Sequence, residues 1–206
     1  MSTSKRLKVV SQFPDGAEAV VRAPGFPSDM GRMCDFFRKL PAHTRNCLRY
    51  DVTDENLCRS RMKLVDDREH WRLIAEIDDE IVGDASLDRE PYGWSRHVGV
   101  MRVVLMPRFE LSPLEMLLSR QMVAVALRSD IERICTELFR EQEERIRLLE
   151  ELGFKAEAVR KKYAKDLKGD YHDVVILSND IEEIWKRLEE NIIDMDIELS
   201  SLYGGA

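Results

Sequence analysis

Apolar and polar positions along this chain follow two periods, and the switches between them mark out its elements. Residues 5–13 and 17–23 are short strand-like runs around Pro14-Asp15-Gly16, which predicts an opening β-hairpin. In PGFPSDMGRMCDFFRKLP the period becomes helical. Ser28 or Asp29 can cap a helix whose apolar face is Met30, Met33, Phe36, Phe37 and Leu40, and Pro41 follows its end. A second helix is expected from Thr53 or Asp54 through Leu57, Cys58, Met62 and Val65. HWRLIAEI (70–77) alternates, DDE turns, and IVGDASLD (81–88) returns as a hairpin partner. SRHVGVMRVVLM (95–106) reads as a long strand ending in the apolar run Val103, Val104, Leu105, Met106, a pattern of burial on both faces.

A helix over about 113–128 follows, with Leu114, Leu117, Leu118, Met122 and Val125 as its stripe. IERICTEL (131–138) is a strand, EQEERIRLLEEL (141–152) a helix stopped at Gly153, and FKAEAVRKKYAKDL, KGD and YHDVVILS a closing strand pair. The order ββ, αα, βββ, α, β, α, ββ predicts an α/β (α+β) domain over 1–178 with a mixed, mostly antiparallel sheet between helices. From 179 to 206 the pattern changes. Ile181, Trp185, Leu188, Ile192, Met195 and Leu199 are spaced as heptad a and d positions, so this C-terminal helical extension either docks on its own domain or makes a homodimer contact.

Composition narrows the classes. The chain has 206 residues, 44% hydrophobic and 34% charged, enough for one large domain with a proper core. A net charge of −7 excludes a global attraction to nucleic acid, although RKKYAK (160–165) is locally basic. No apolar run approaches membrane-spanning length, and MSTSKRLKVV lacks a signal-peptide core, so the expectation is a cytoplasmic protein without membrane contact. Cys34, Cys47, Cys58 and Cys135 lack metal-ligand spacing and read as buried free thiols; the histidines are equally dispersed, and no metal is expected.

Four stretches resemble the GNAT superfamily of acetyl-CoA-dependent N-acyltransferases. They are the hairpin RLIAEIDDEIVGDASLD, the strand end MRVVLMPRF, the element RLLEELGFKAEAVRKKY and the closing strand YHDVVILS. The resemblance implies transfer of an acyl group from acetyl-CoA or another acyl-CoA to the amine of a small molecule or a protein. It places the donor near Leu105, Met106, Arg108, Ser112, Leu114, Glu115 and Gln142. In the family the strand after the hairpin leads into a loop of the form Q/R-x-x-G-x-G/A, whose backbone approaches the pyrophosphate. Aligned without a gap, those positions hold Glu110, Pro113 and Glu115, and Leu111 and Ser112 stand where basic residues are common. Proline offers no N–H, and each carboxylate in a solvated site repels a phosphate by about 1 kcal/mol.

The same residues make sense as a helix start. Ser112-Pro113-Leu114-Glu115 has the form of a capping box, Ser112 accepting from the Glu115 N–H and the Glu115 carboxylate reaching back to the Ser112 N–H. Gln142 replaces the family's asparagine and keeps an amide; Leu149 replaces a tyrosine that serves as general acid. For a general base, Glu76 and His97 are the first candidates, with Asp84, Asp88, Tyr163 and His172 behind them. Two readings stay open: an N-acyltransferase, and a binding or regulatory module that has lost ordinary acetyl-CoA binding.

Overall fold

The computed structural model of the chain describes residues 8–12, 18–52, 54, 56–57, 59–60, 69–166 and 168–182. Among the described residues the eight strands are β1 (Lys8–Gln12), β2 (Glu18–Arg22), β3 (His70–Ile77), β4 (Glu80–Arg89), β5 (Val98–Leu105), β6 (Arg133–Phe139), β7 (Lys155–Lys165) and β8 (Tyr171–Asp180). They form one sheet in the order β1-β2-β3-β4-β5-β6-β8-β7, antiparallel throughout except where β5 pairs β6. The helices are α1 (Met30–Lys39), α2 (Ala42–Asn46), α3 (Pro113–Leu127) and α4 (Glu143–Glu151), with a 3-10 turn over Pro107–Phe109. The mixed, mostly antiparallel architecture follows the sequence pattern.

Side chains on the two faces of the sheet explain the layering. Leu73, Ala75, Ala85, Leu87, Met101 and Leu105 meet Leu114, Leu118 and Met122 of α3 and Leu149 of α4. On the opposite face Ile74, Ile81 and Val104 are covered by Met30, Met33, Phe36 and Phe37 of α1. Burying each such side chain contributes about 1.5–3 kcal/mol. The tight β3–β4 turn uses Asp78 and Asp79 at φ 51° and 60°, a left-handed pair that aspartate tolerates and that matches strand twist. Gly153, at φ 90°, ends α4 as its position predicts.

One element goes beyond the sequence pattern, and two expectations fall largely outside the described residues. The pentapeptide Ala42–Asn46 forms a helix, α2, too short to show a period. The helix expected from Thr53 or Asp54 to Val65 falls mostly outside the described residues; 56–57 and 59–60 are helical. β8 runs to Asp180, two residues past the expected domain boundary, and the heptad positions from Trp185 on lie outside the described residues.

Asp29 occupies the N-cap of α1 but makes no side-chain cap bond. Its carboxylate instead accepts from Arg22 Nη1 at 2.7 Å and Nη2 at 3.0 Å, from the Gly25 amide at 2.7 Å and from Arg32 at 3.0 Å. These bonds, that to Arg22 first and against the effect of burial, hold the Asp29 carboxyl at about 2, below its ordinary 3.8. A lowered folded-state pKa gives stability that is present above the unfolded value and is lost as pH falls toward the folded one. The shift corresponds to about 2 kcal/mol. Asp29→Asn should therefore lower stability by about that much at pH 7, and its deficit in urea denaturation should shrink as pH falls from about 4 toward 2. A deficit independent of pH would mean that the charge plays no part.

Candidate functional site

β5 and β6 pair over three positions only: Val98 with Arg133, Gly99 with Ile134 and Val100 with Cys135. Beyond them each strand keeps its other partner, β4 or β8, and runs on to Leu105 or Phe139. The sheet therefore forks. A cavity of about 590 Å³ opens in the fork, with His43, Cys47 and Arg49 from α2 and the segment after it on one side, and Glu115, Ser119 and Leu149 from α3 and α4 on the other. The Val103 carbonyl accepts from Arg145 Nη2 at 2.6 Å, so it points into the fork and away from β4. By the alternation of an antiparallel strand, the amides of Met101, Val103 and Leu105 line the same edge.

The loop between β5 and α3 consumes its own donors. The amides of Phe109 and Glu110 bond the carbonyls of Met106 and Pro107, and those of Glu115 and Met116 bond the Ser112 carbonyl. The capping bonds exist one position away from the expected box. Ser112 Oγ accepts from the Leu114 amide at 3.2 Å, and the Glu115 carboxylate accepts from the Leu111 amide at 2.9 Å. Leu111 takes φ 56° to present that amide. Glu115 is 2% exposed and is closed by Arg145 Nε at 2.5 Å. An internal carboxylate thus sits at the start of α3, where a helix dipole would otherwise attract an external anion.

A second hollow adjoins the cavity, sharing Glu110, Glu115, Gln142 and Arg145 with it, and this acidic mouth adds Glu141, Glu143, Glu144 and Arg147. Five carboxylates against two guanidiniums, with a proline at the first helical position, do not fit a diphosphate. The fork itself, with an unpaired strand edge and a lining of apolar and polar side chains, has room for the slender arm of an acyl thioester.

Of the residues picked from sequence, Glu115 and Gln142 line the cavity. Gln142 also accepts from the Phe139 amide at 3.0 Å, which fixes the turn into α4. Leu105 and Leu114 are fully buried core residues, Met106 packs between the two cores, Arg108 lies over the Phe109 ring and Ser112 caps α3. None of these five lines the cavity or its acidic mouth. Glu76 is clasped by Arg22 and Arg32, each at 2.6 Å, and His97 sits at the closed end of the fork, its carbonyl accepting from Glu132 and Arg133. Neither reaches the cavity. Asp84 forms an ion pair with Arg72 and Asp88 with Arg102, Asp88 also lies 3.0 Å from His70 Nδ1, and His172 stacks on Phe139 at 4.5 Å; Tyr163 lines the cavity.

Charged cavity residues that sequence reasoning missed include Arg49, Arg102, Glu137 and Arg145. Glu137 lies between Arg49 at 3.2 Å and Arg160 at 3.4 Å. The nearby thiol of Cys47, half-buried, is pushed up from its ordinary value chiefly by burial, the reverse of an activated nucleophile. Cys34 is buried and Cys135 half-buried. Among the described residues no three His, Cys, Asp or Glu side chains converge as a metal site, and no helix is long and apolar enough to cross a membrane.

No family model matches the chain, and no curated protein matches it in sequence. Solved structures do match. The GNAT domain of S. lividans PAT superposes with a TM-score of 0.69 at 18% identity, covering 87% of this chain and 99% of that one. The ribosomal-protein-S5-alanine acetyltransferase of Vibrio fischeri gives 0.68 at 17%, over 84% and 96%. Salmonella typhimurium yncA, solved with its cofactor acetyl-CoA, gives 0.68 at 15%, over 79% and 94%. At such identities the likeness is one of architecture, and with the forked sheet it establishes that this chain has the fold of the GNAT superfamily.

Proposed function

We propose that the protein is an N-acyltransferase that moves an acyl group from a thioester to an amine inside the fork between β5 and β6. The observation that carries this reading is the open cavity at the fork, where strand-edge amides can polarise a thioester carbonyl. Glu137 is the base candidate: it lines the cavity and takes the proton of the attacking amine. The amine nitrogen bonds to the carbonyl carbon, the C–S bond breaks, and the thiolate leaves and is protonated by water. Leu149 cannot supply that proton, so the departing thiol depends on solvent in the open cavity. Relatives in fold that acetylate the alanine of ribosomal proteins support an amine acceptor.

The acidic mouth makes the donor unusual. With the start of α3 occupied by Glu115, the pantetheine arm rather than the diphosphate supplies the binding energy. Calorimetric titration with acetyl-CoA and with acetyl-pantetheine tests this. The expected result is that acetyl-pantetheine binds at least as tightly as acetyl-CoA. Tighter binding of acetyl-CoA by tenfold or more, about 1.4 kcal/mol, would restore an ordinary phosphate site. The same acidic mouth favours a second reading, a GNAT-fold binding module; absence of binding by either thioester up to millimolar concentration would select it.

A further inference from the structure

The charge of the cavity is divided between its two sides. Val100 and Cys135 are the last paired residues of the fork, and two residues further along each strand, on the same face, stand Arg102 and Glu137. Both line the cavity, so a guanidinium and a carboxylate face each other across the point where the strands part. Arg49 approaches Glu137 from the segment after α2, and Arg160 from β7. Arg102 is fixed on its other side by Asp88 at 2.6 Å and lies over the Tyr50 ring. Arg49 and Arg160 thus stand at Glu137 and Arg102 lines the same cavity, in a chain of net charge −7 whose adjoining hollow is lined by five glutamates.

A polyamine, cationic at both ends, would meet these guanidiniums with repulsion. A polypeptide N-terminus offers an ammonium for Glu137, but its adjoining carboxylate has become a neutral amide. A free amino acid offers both charges, one bond chain apart. We infer that the acceptor is a free α-amino acid, its ammonium facing Glu137 and its carboxylate held by Arg102 and Arg49, because guanidinium recognises carboxylate with two parallel hydrogen bonds. This inference rests on the acyl-transfer reading for the fate of the amine, while the binding geometry stands without it.

The test is therefore binding in the absence of any donor. The full-length protein is titrated by calorimetry with each common free L-amino acid, then with the decarboxylated amine and the dipeptide amide of the tightest binder, and with spermidine. The expected result is that one or more amino acids bind and that removal of the carboxylate weakens binding about tenfold or more. Arg102→Gln should reduce amino-acid binding by a similar factor and leave the weak binding of the decarboxylated amine unchanged. Arg49→Gln, at a half-exposed position, should act in the same direction without threatening the fold. The inference is overturned if the decarboxylated amine, the peptide amide or spermidine binds as well as the amino acid, or if no amino acid binds. Amino-acid binding without any acyl transfer would instead overturn the enzymatic reading and the role of acceptor, and leave the binding geometry intact.

Discussion

Glu115→Ala is expected to destabilise the fold by about 3 kcal/mol, read as a shift of the urea midpoint at constant slope. The Glu115 side chain is 2% exposed, and among the described residues its carboxylate is met by the Arg145 guanidinium, Nε at 2.5 Å, and by the Leu111 amide at 2.9 Å. Truncation leaves Arg145, 15% exposed, without its anion. It also removes the acceptor of the Leu111 amide, in a loop where Leu111 holds φ 56°. The Val103 carbonyl still accepts from Arg145, which keeps the cost at the lower end of the range for broken buried pairs. Replacing both partners by Leu and Met removes both charges and should recover most of the loss, since buried ion pairs and apolar pairs of like volume are often equivalent. If the single change costs less than about 1 kcal/mol, the bridge behaves as an exposed one, and the claim that Glu115 holds the start of α3 fails.

This pair also shows where sequence reasoning stops. The strand and helix order was legible because each element carries its own period, and the GNAT fold followed from local phrases such as Leu152-Gly153-Phe154. The departure of the loop from a glycine cradle was equally legible, because proline and glutamate have fixed chemistries. The partner of Glu115 was not. Arg145 lies thirty residues on, and only the packing of α4 beside α3 brings it to the fork. The capping register missed by one position because the left-handed Leu111 moves the chain back over Glu115. α2, five residues long, gave no periodicity. Glu76 looked like a base from its place near a strand end; its two arginine partners come from β2 and α1, and pairing of that kind is invisible in one sequence. Arg102 and Glu137 looked like ordinary polar positions of alternating strands. Their meaning depends on where the strands part, and that register is a tertiary property.

Glu137→Gln is expected to lower kcat for acyl transfer by about 10²–10³ at neutral pH, with little change in stability. The exchange keeps the shape of a side chain that is 27% exposed, and loses the ability to accept a proton together with the negative charge that faces Arg49 and Arg160. Without that base the amine must lose its proton to solvent before it attacks. The rate of the variant should therefore rise with pH toward the amine's own pKa, and its deficit against the parent should narrow as the free amine becomes abundant. A mere structural role for Glu137 would give a deficit that does not change with pH. Loss of acceptor binding alone would raise KM and spare kcat at saturation. Glu76→Gln is the control, since Glu76 is bound by Arg22 and Arg32 and does not reach the cavity. It should lose stability and retain kcat. The reverse outcome, an inactive Glu76→Gln with an active Glu137→Gln, would place the chemistry on the α1 side of β3 and remove the fork from the mechanism.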